Sequence, residues 1–533
     1  MKNVKRTLSM VLALILALTL LAGCGGQKET TPAGTEGGNT PVETTAEVAK
    51  NYKKKIVVGV ANPMTDDDPQ GLYDNMHATM VNLSHNQLLT YNFEKRELEP
   101  ELAVEWKAED AKTYWFKLRQ GVKFSNGEEM KAEDVQFSFT GREKLLTEST
   151  QSATFKKIES VEIINDYEVR FHLKTGDADF LTRMYIQTFA IVSKKACEAD
   201  PNKGYYVGTG GWKMIDFVPS DHVTYQRVDT SWVWDRDGYI KGINPTEELE
   251  LRYQPEASTR TAALEAKQIA ANASIDMAEY DVVSANKDLE ITLLPAEVLD
   301  YLIINMNNGV AAKDDNLRLA IAYALNIDEA NEFAQEGLAK KTLTIWGSSQ
   351  YGYFDDFENK LEFNLDKAKE YMSKSNNPNG VDFKLYVTNN YEPMATLLQG
   401  QLKKIGVNVI VKQTDKAGMA EVVKNGEHDG IFMSITLQAI GDRFHFVCNP
   451  NSATNRALYE NPEMLAKFDA ALQEVDDAKR KELYKEIQIE LNEVKPYIPF
   501  FYEVLVVGKN KGVEGEQFLP DNKPDYTYIR WAE

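Results

Sequence analysis

The sequence predicts an α/β fold of more than one domain, on three observations. The chain has 533 residues, too many for one hydrophobic core when domains commonly run to about 50–250 residues. From Leu98 to Phe139 strand, turn and helix signals follow one another within a short stretch, LEPELAVEWKAEDAKTYWFKLRQGVKFSNGEEMKAEDVQFSF. From Met394 a helical pattern through Leu397, Leu398 and Leu402 stops at Gly406 and passes directly into the strand Val407–Val411. Glycine suits the left-handed cap that closes such a helix. With 43% hydrophobic and 26% charged residues, the composition excludes wholesale disorder.

The N-terminus reads as an export signal over residues 1–23: Lys2, Lys5 and Arg6, then an apolar run from Val11 to Leu21. A run of about a dozen apolar residues is too short to span a bilayer. Leu21-Ala22-Gly23-Cys24 resembles the lipobox of bacterial lipoproteins, which implies lipid attachment at Cys24; a plain secretory signal is the alternative. Residues 24–52, rich in Gly, Thr, Pro and Glu, predict a flexible tether with a reach of about 30 Å. The fold then starts with the strand Lys55–Val60. A polar loop follows, Ala61 to Pro69, with three successive aspartates at 66–68. Those acids either attract a cationic group or form a solvated loop.

A helix is expected from Tyr73 to Thr90. In the Leu98–Phe139 stretch, residues 113–118 alternate and are aromatic-rich, as a half-buried strand requires. A short strand Val122–Phe124, a turn at Ser125-Asn126-Gly127 and a helix from Lys131 come next, with Glu133 and Asp134 in the first turn, where the helix dipole favours acids. Two strands, Phe155–Ile164 and Glu168–Lys174, turn at Asn165-Asp166. The Gly208-Thr209-Gly210-Gly211 run matches neither phosphate-binding glycine pattern. A short helix Thr261–Ile269, a strand Ile291–Leu294 and a strand Tyr301–Asn307 follow. The next helix, through Leu317, Ile321, Ala324 and Leu325, is capped by Asp314 or Asp315. A long helix from Met464 to about Val494 stops at Pro496, before apolar strands at Tyr497–Tyr502 and Val504–Val507.

The succession EPELAVEW, TYWFKLRQGVKFSNGE and AEDVQFSF resembles the signature of extracellular solute-binding protein family 5, the binding proteins of ABC importers for oligopeptides, dipeptides and nickel. GTGGWKMIDF, YLIINMN, LLQGQLKKIGVNVIVK and YIPFFY continue the resemblance from about Lys53 to the end. It implies a two-lobed, periplasmic-binding-protein-like α/β fold (class II, cluster C) with a small extra domain inserted in the first lobe. Lobe 1 would comprise 53–86, 206–299 and 505–533, the inserted α+β domain 87–205, and lobe 2 residues 300–504. Two crossings between lobes imply closure on a ligand by rigid-body rotation. The resemblance further implies a monomer that captures a solute, peptides foremost, and delivers it to membrane permease subunits from the extracellular face of the cytoplasmic membrane, anchored through Cys24. Rival readings are a receptor for one signalling peptide, a binder of a metal chelate or sugar, and an extracellular hydrolase.

The chemistry of the residues agrees with binding. Net charge is −21, and loss of the first 23 residues, which hold three cations and no acid, takes it to −24. Nucleic acid and anionic membrane surfaces are repelled by such a chain. Cys24, Cys197 and Cys448 form no C-x-x-C, and the six histidines are scattered without a metal-ligand or catalytic spacing, so no cofactor and no catalytic residue is expected. Cys197 and Cys448 are either a disulfide or two separate small residues. For ligand contact the resemblance points to Ser434–Phe446, where peptide-binding relatives carry a Trp and a DYPDP-like run that this chain lacks. Its remaining candidates are Gln438, Asp442, Arg443 and Phe444: Asp442 for an ammonium group and Arg443 for a carboxylate, or the two simply forming a surface turn. His445 is either a structural residue or a contact to a metal complex. Asn62 and Asp68 border the cleft by resemblance, and Trp346, Tyr351 and Tyr502 are stacking walls or core.

Overall fold

The computed structural model describes residues 50–72, 74–92, 95, 97–348, 350–358, 360–436, 447, 449–450, 452, 454–518 and 523–533. Residues 50–533 form one compact unit. Its first strand, β1 (Lys55–Val60), reads KIVVGV and is buried along most of its length, as a strand with parallel neighbours and covered faces must be. Helix α1 (Asn75–Ser84) follows, capped by the Asp74 carboxylate, which accepts the His77 N–H at 2.8 Å. The helix is shorter than expected because Leu89–Asn92 pairs with Glu97–Pro100 as a small hairpin.

A separate four-stranded antiparallel sheet comes next, formed by β2 (Ala103–Asp110), β3 (Thr113–Leu118), β4 (Ile158–Asn165) and β5 (Glu168–Leu173) in the order β2-β3-β5-β4. It has its own core, with Tyr114, Phe116, Phe124, Phe139, Phe155 and Phe171 all buried. Two local expectations change here. Val122–Phe124 is not a strand but one side of a tight loop, held by the Lys123–Glu129 bridge around the Ser125–Gly127 turn. Phe155–Lys157 ends a short helix, Ser152–Lys157, before the chain extends. Strand propensity at Phe155 yields to its burial against Phe139 and Phe189.

The main sheet has eleven strands. Its first half holds β1, β6 (Trp212–Val218), β7 (His222–Arg227), β8 (Glu248–Tyr253) and β9 (Ala271–Ile275). Strand β10 (Leu289–Ile304) joins the halves as one continuous strand where two shorter ones were expected. Helix α2 (Asp315–Ala324) begins the second half, with Asp314 as its cap through a 3.0 Å bond from the Leu317 N–H. Strand β11 (Val381–Val387), helix α3 (Glu392–Lys403), strand β12 (Val407–Gln413) and strand β13 (Gly430–Thr436) follow. Gly406, between α3 and β12, has φ +85°, so glycine is required at that turn. The expected long helix is two, α4 (Pro462–Gln473) and α5 (Asp477–Val494), because Asp476 caps a new helix start. Strand β14 (Tyr497–Asn510) returns through both halves.

Strand order in the sheet is β12-β11-β13-β10-β14-β9-β1-β8-β7-β6, with Lys340–Lys341 added on β14. The second half carries a core on each face, one around Phe383, Leu398 and Phe500 and one around Trp346, Phe468 and Tyr484. The segment after β5 docks on α4 and α5. The Ala178 N–H bonds the Leu472 carbonyl at 2.8 Å, Tyr484 donates to the Asp179 carboxylate at 2.8 Å, and Arg480 bonds the Ala178 carbonyl.

Candidate functional site

The sheet itself locates a crevice. Strands β10 and β14 pair antiparallel from Leu289 with Asn510 to Ile303 with Tyr497, and the register shifts between Pro295 and Leu299. Irregularities of this kind bend a strand and interrupt its ladder. On one side of the shift, β1 runs parallel to β8 and β9, and β9 meets β14 with Ile275 opposite Val506. The carboxyl ends of β1 and β9 therefore point toward the shift. On the other side, β11 runs parallel to β12 and β13, and β13 ends with Thr436 opposite Val298. Its carboxyl end points back toward the same place. In α/β sheets ligands bind outside the carboxyl ends of the strands, so here two sets of strand ends converge on Pro295–Asp300 and Tyr502–Val504.

From the first half, the loop after β1 borders this junction. Asn62 is exposed on it. The three aspartates, by contrast, are engaged within the protein. Asp66 accepts the Asp68 N–H at 3.0 Å, and Asp67 accepts the Tyr205 hydroxyl at 3.1 Å and that of Tyr206. Asp68 is buried and holds Arg142 through two hydrogen bonds, 3.0 and 2.6 Å, with Lys144 at 2.5 Å. Burial pushes the Asp68 carboxyl up, but Arg142 and Lys144 outweigh it and keep it below the ordinary carboxylate value. Gln70 completes the cluster: its amide carbonyl accepts from Arg142 at 2.6 Å and its NH₂ donates to the Ser138 carbonyl at 2.9 Å.

Trp346 and Tyr502 are brought together, and both lie in the core, 0% and 2% exposed. The Tyr502 hydroxyl donates to the Trp346 carbonyl, and the Trp346 ring lies parallel to Phe468 with centroids 6.3 Å apart. Tyr351, also buried, donates its hydroxyl to Asp477 at 2.8 Å. Cys24, Gln438, Asp442, Arg443, Phe444, His445 and Cys448 lie outside the described residues. Cys197 is buried, and burial pushes its thiol up to about 11.

Sequence reasoning passed over a second group at the junction. Asp300 on β10 stands opposite Ser434 of β13 and Phe501 of β14. Its side chain lies within hydrogen-bonding reach of Glu503, and Tyr391 reaches it from the turn after β11. Burial first, then the Glu503 charge, pushes Asp300 up to about 8, and burial raises Glu503 as well. The available signal was one acid in each of two otherwise apolar runs, Val298–Ile304 and Tyr497–Val507. A cavity of about 740 Å³ borders the junction through Lys340 and Lys341, which pair with Tyr502 and Phe501. Another, of about 370 Å³, lies farther along, between Tyr91 and the Tyr351–Phe354 segment. Among the described residues there is no cluster of metal-ligating side chains and no helix long and apolar enough to cross a membrane.

Comparison with known proteins bears on this geometry. The model of the family described as bacterial extracellular solute-binding proteins, family 5 (Middle), matches residues 97–456. The chain is similar to the dipeptide-binding protein of Escherichia coli K12, 24% identical over 483 residues, with 84% of this chain and 88% of that one covered. It is similar to heme-binding protein A of Haemophilus influenzae, 26% identical over 549 residues, covering 93% and 94% of the two chains. Among solved structures, the ABC transporter substrate-binding protein CtaP of Listeria monocytogenes superposes with a TM-score of 0.80 at 21% identity, over 90% of this chain and 100% of that one.

Proposed function

The chain belongs to family 5 of the bacterial extracellular solute-binding proteins, and from that premise we propose that it is the peptide-capturing component of an ABC importer. The observation that carries this reading is the convergence of parallel strand ends from both halves on the β10–β14 junction. A solute seated there touches both halves at once. It favours whichever arrangement brings them together, by as much as its affinities for the two arrangements differ. The closed form is what permease subunits meet, and the protein acts by binding, not by turnover.

Peptides are the favoured solute because the curated relatives include proteins named for dipeptide and oligopeptide binding. In our reading, lobe 1 comprises 53–86, 206–299 and 505–533, residues 87–205 are its inserted domain, and 300–504 are lobe 2. Cys24 carries the lipid, the tether of 24–52 lets the monomeric body meet its permease, and Asn62, Gln438, Asp442, Arg443 and Phe444 contact the ligand. The test is mass spectrometry of small molecules released on denaturing the full chain purified from its cells. A mixture of short peptides is expected. One defined non-peptide compound, such as a haem or a metal chelate, would replace the peptide reading. A single peptide of fixed sequence would make the protein a signal receptor.

A further inference from the structure

Strands β10 and β14 carry acids where strands of their kind are normally apolar. Asp300 is 3% exposed, and its Oδ1 has no hydrogen-bond partner among the described residues. A carboxylate taken out of water needs a cation or several donors to offset its lost hydration. The groups that face Asp300 are Glu503 from β14 and the Tyr391 hydroxyl from the turn after β11, with Ser434 beside Tyr391 on β13. Among the described residues no lysine, arginine or histidine pairs with either acid, and the side chain that hydrogen-bonds Glu503 is Asp300. Two acids side by side cannot both ionise cheaply, so among the described residues this arrangement lacks one component, a positive charge. It lacks it at the point where the strand ends of both halves meet.

We propose that Asp300 and Glu503 form the receptor for a cationic group of the ligand, an ammonium or guanidinium, at the junction of the two halves. The inference rests on the peptide-binding reading, in which the cation is the peptide's α-ammonium or a basic side chain. In the empty protein the pair holds a proton. The arriving cation takes its place, the proton leaves to solvent, and the Tyr391 hydroxyl donates to the carboxylate so formed. Ligand uptake is thereby coupled to proton release, and affinity for a cationic ligand falls as pH drops.

The test is calorimetric titration of the full chain in detergent with alanine peptides of two to eight residues, each with a free and an acetylated N-terminus. The native protein is expected to prefer the free amine by about ten- to a hundredfold, the range charge-assisted hydrogen bonds reach. In Asp300→Asn that preference should fall below about threefold. Binding of the free amine should weaken by about tenfold between pH 8 and pH 6. Glu503→Gln provides a second variant should Asp300→Asn not fold, and Asp442→Asn serves as the comparison. Equal binding of free and acetylated peptides by the native chain overturns this inference and leaves the peptide reading standing. So does a free-amine preference that survives in both Asp300→Asn and Glu503→Gln, or that only Asp442→Asn abolishes. No binding of any peptide by the native chain removes the peptide reading and this inference with it.

Discussion

Replacing Arg142 with methionine tests how the loop after β1 is held. The substitution keeps an unbranched side chain and removes three hydrogen bonds, two to Asp68 and one to Gln70. It also removes the guanidinium placed 5.4 Å from the centre of the Tyr205 ring. Breaking a buried ion pair from one side costs about 3–5 kcal/mol, because the remaining charge stays buried without its partner. Lys144 remains at 2.5 Å, but its side chain is 40% exposed, and exposed partners contribute at most about 1 kcal/mol. The expected loss is therefore about 3 kcal/mol at pH 7. Its pH dependence is fixed in sign. In the native protein the Asp68 carboxyl is held below its ordinary value of 3.8, so its contribution is present above that pH and lost as pH falls through the depressed value. Without Arg142, burial dominates, the carboxyl rises, and protonation relieves the strain in acid. Urea unfolding followed by tryptophan fluorescence at pH 7 and pH 4 measures both effects. A loss under about 1 kcal/mol at pH 7, or the same loss at both pH values, would refute the assignment of Asp68 to an internal ion pair.

Two further outcomes follow from the same structure. Trp346→Ala should cost about 3–5 kcal/mol by opening a cavity against Phe468, Tyr484 and Tyr502, read as a lowered thermal midpoint; a change within about 0.5 kcal/mol would show that the indole does not belong to that core. Asp300→Asn should be more stable than the native chain at pH 8 by about 1–3 kcal/mol, a difference that shrinks as pH falls and is nearly gone by about pH 4. The sign follows because Asp300 is raised from 3.8 to about 8 in the fold: the folded state holds a proton that the unfolded state has released, so native stability falls as pH rises across that window. Equal stability at both pH values would contradict the buried acid pair.

Much of the scaffold was legible where local signals agree with tertiary packing. Asp314 before an apolar helical face, and Gly406 between helix and strand, act as their residue types require. Where two signals competed, the sequence misled. Helical periodicity runs on through Glu474 and Val475, so α4 and α5 merged in the reading, although Asp476 heads a new helix with its side chain on the Lys479 N–H. The aspartates at 66–68 read either as a site for a cationic group or as a solvated charge run, and only the fold brings Arg142, Tyr205 and Tyr206 to them from more than 70 positions away. Asp300 and Glu503 stand 203 positions apart in the chain, and their meeting depends on the β10–β14 register, which no local pattern encodes. Their trace in the sequence is a single acid in each apolar run.

The measurement that tests the central claim most directly is amide hydrogen exchange of the full chain with and without a bound alanine peptide. A solute held where the strand ends converge should slow exchange in both halves together: at residues 61–72 and 274–279 from the first, at 388–391 and 434–436 from the second, and at 295–300 and 502–504 on the crossing strands. Slowing confined to one half, or to the 350–354 and 478–485 segments around the 370 Å³ cavity, would contradict it.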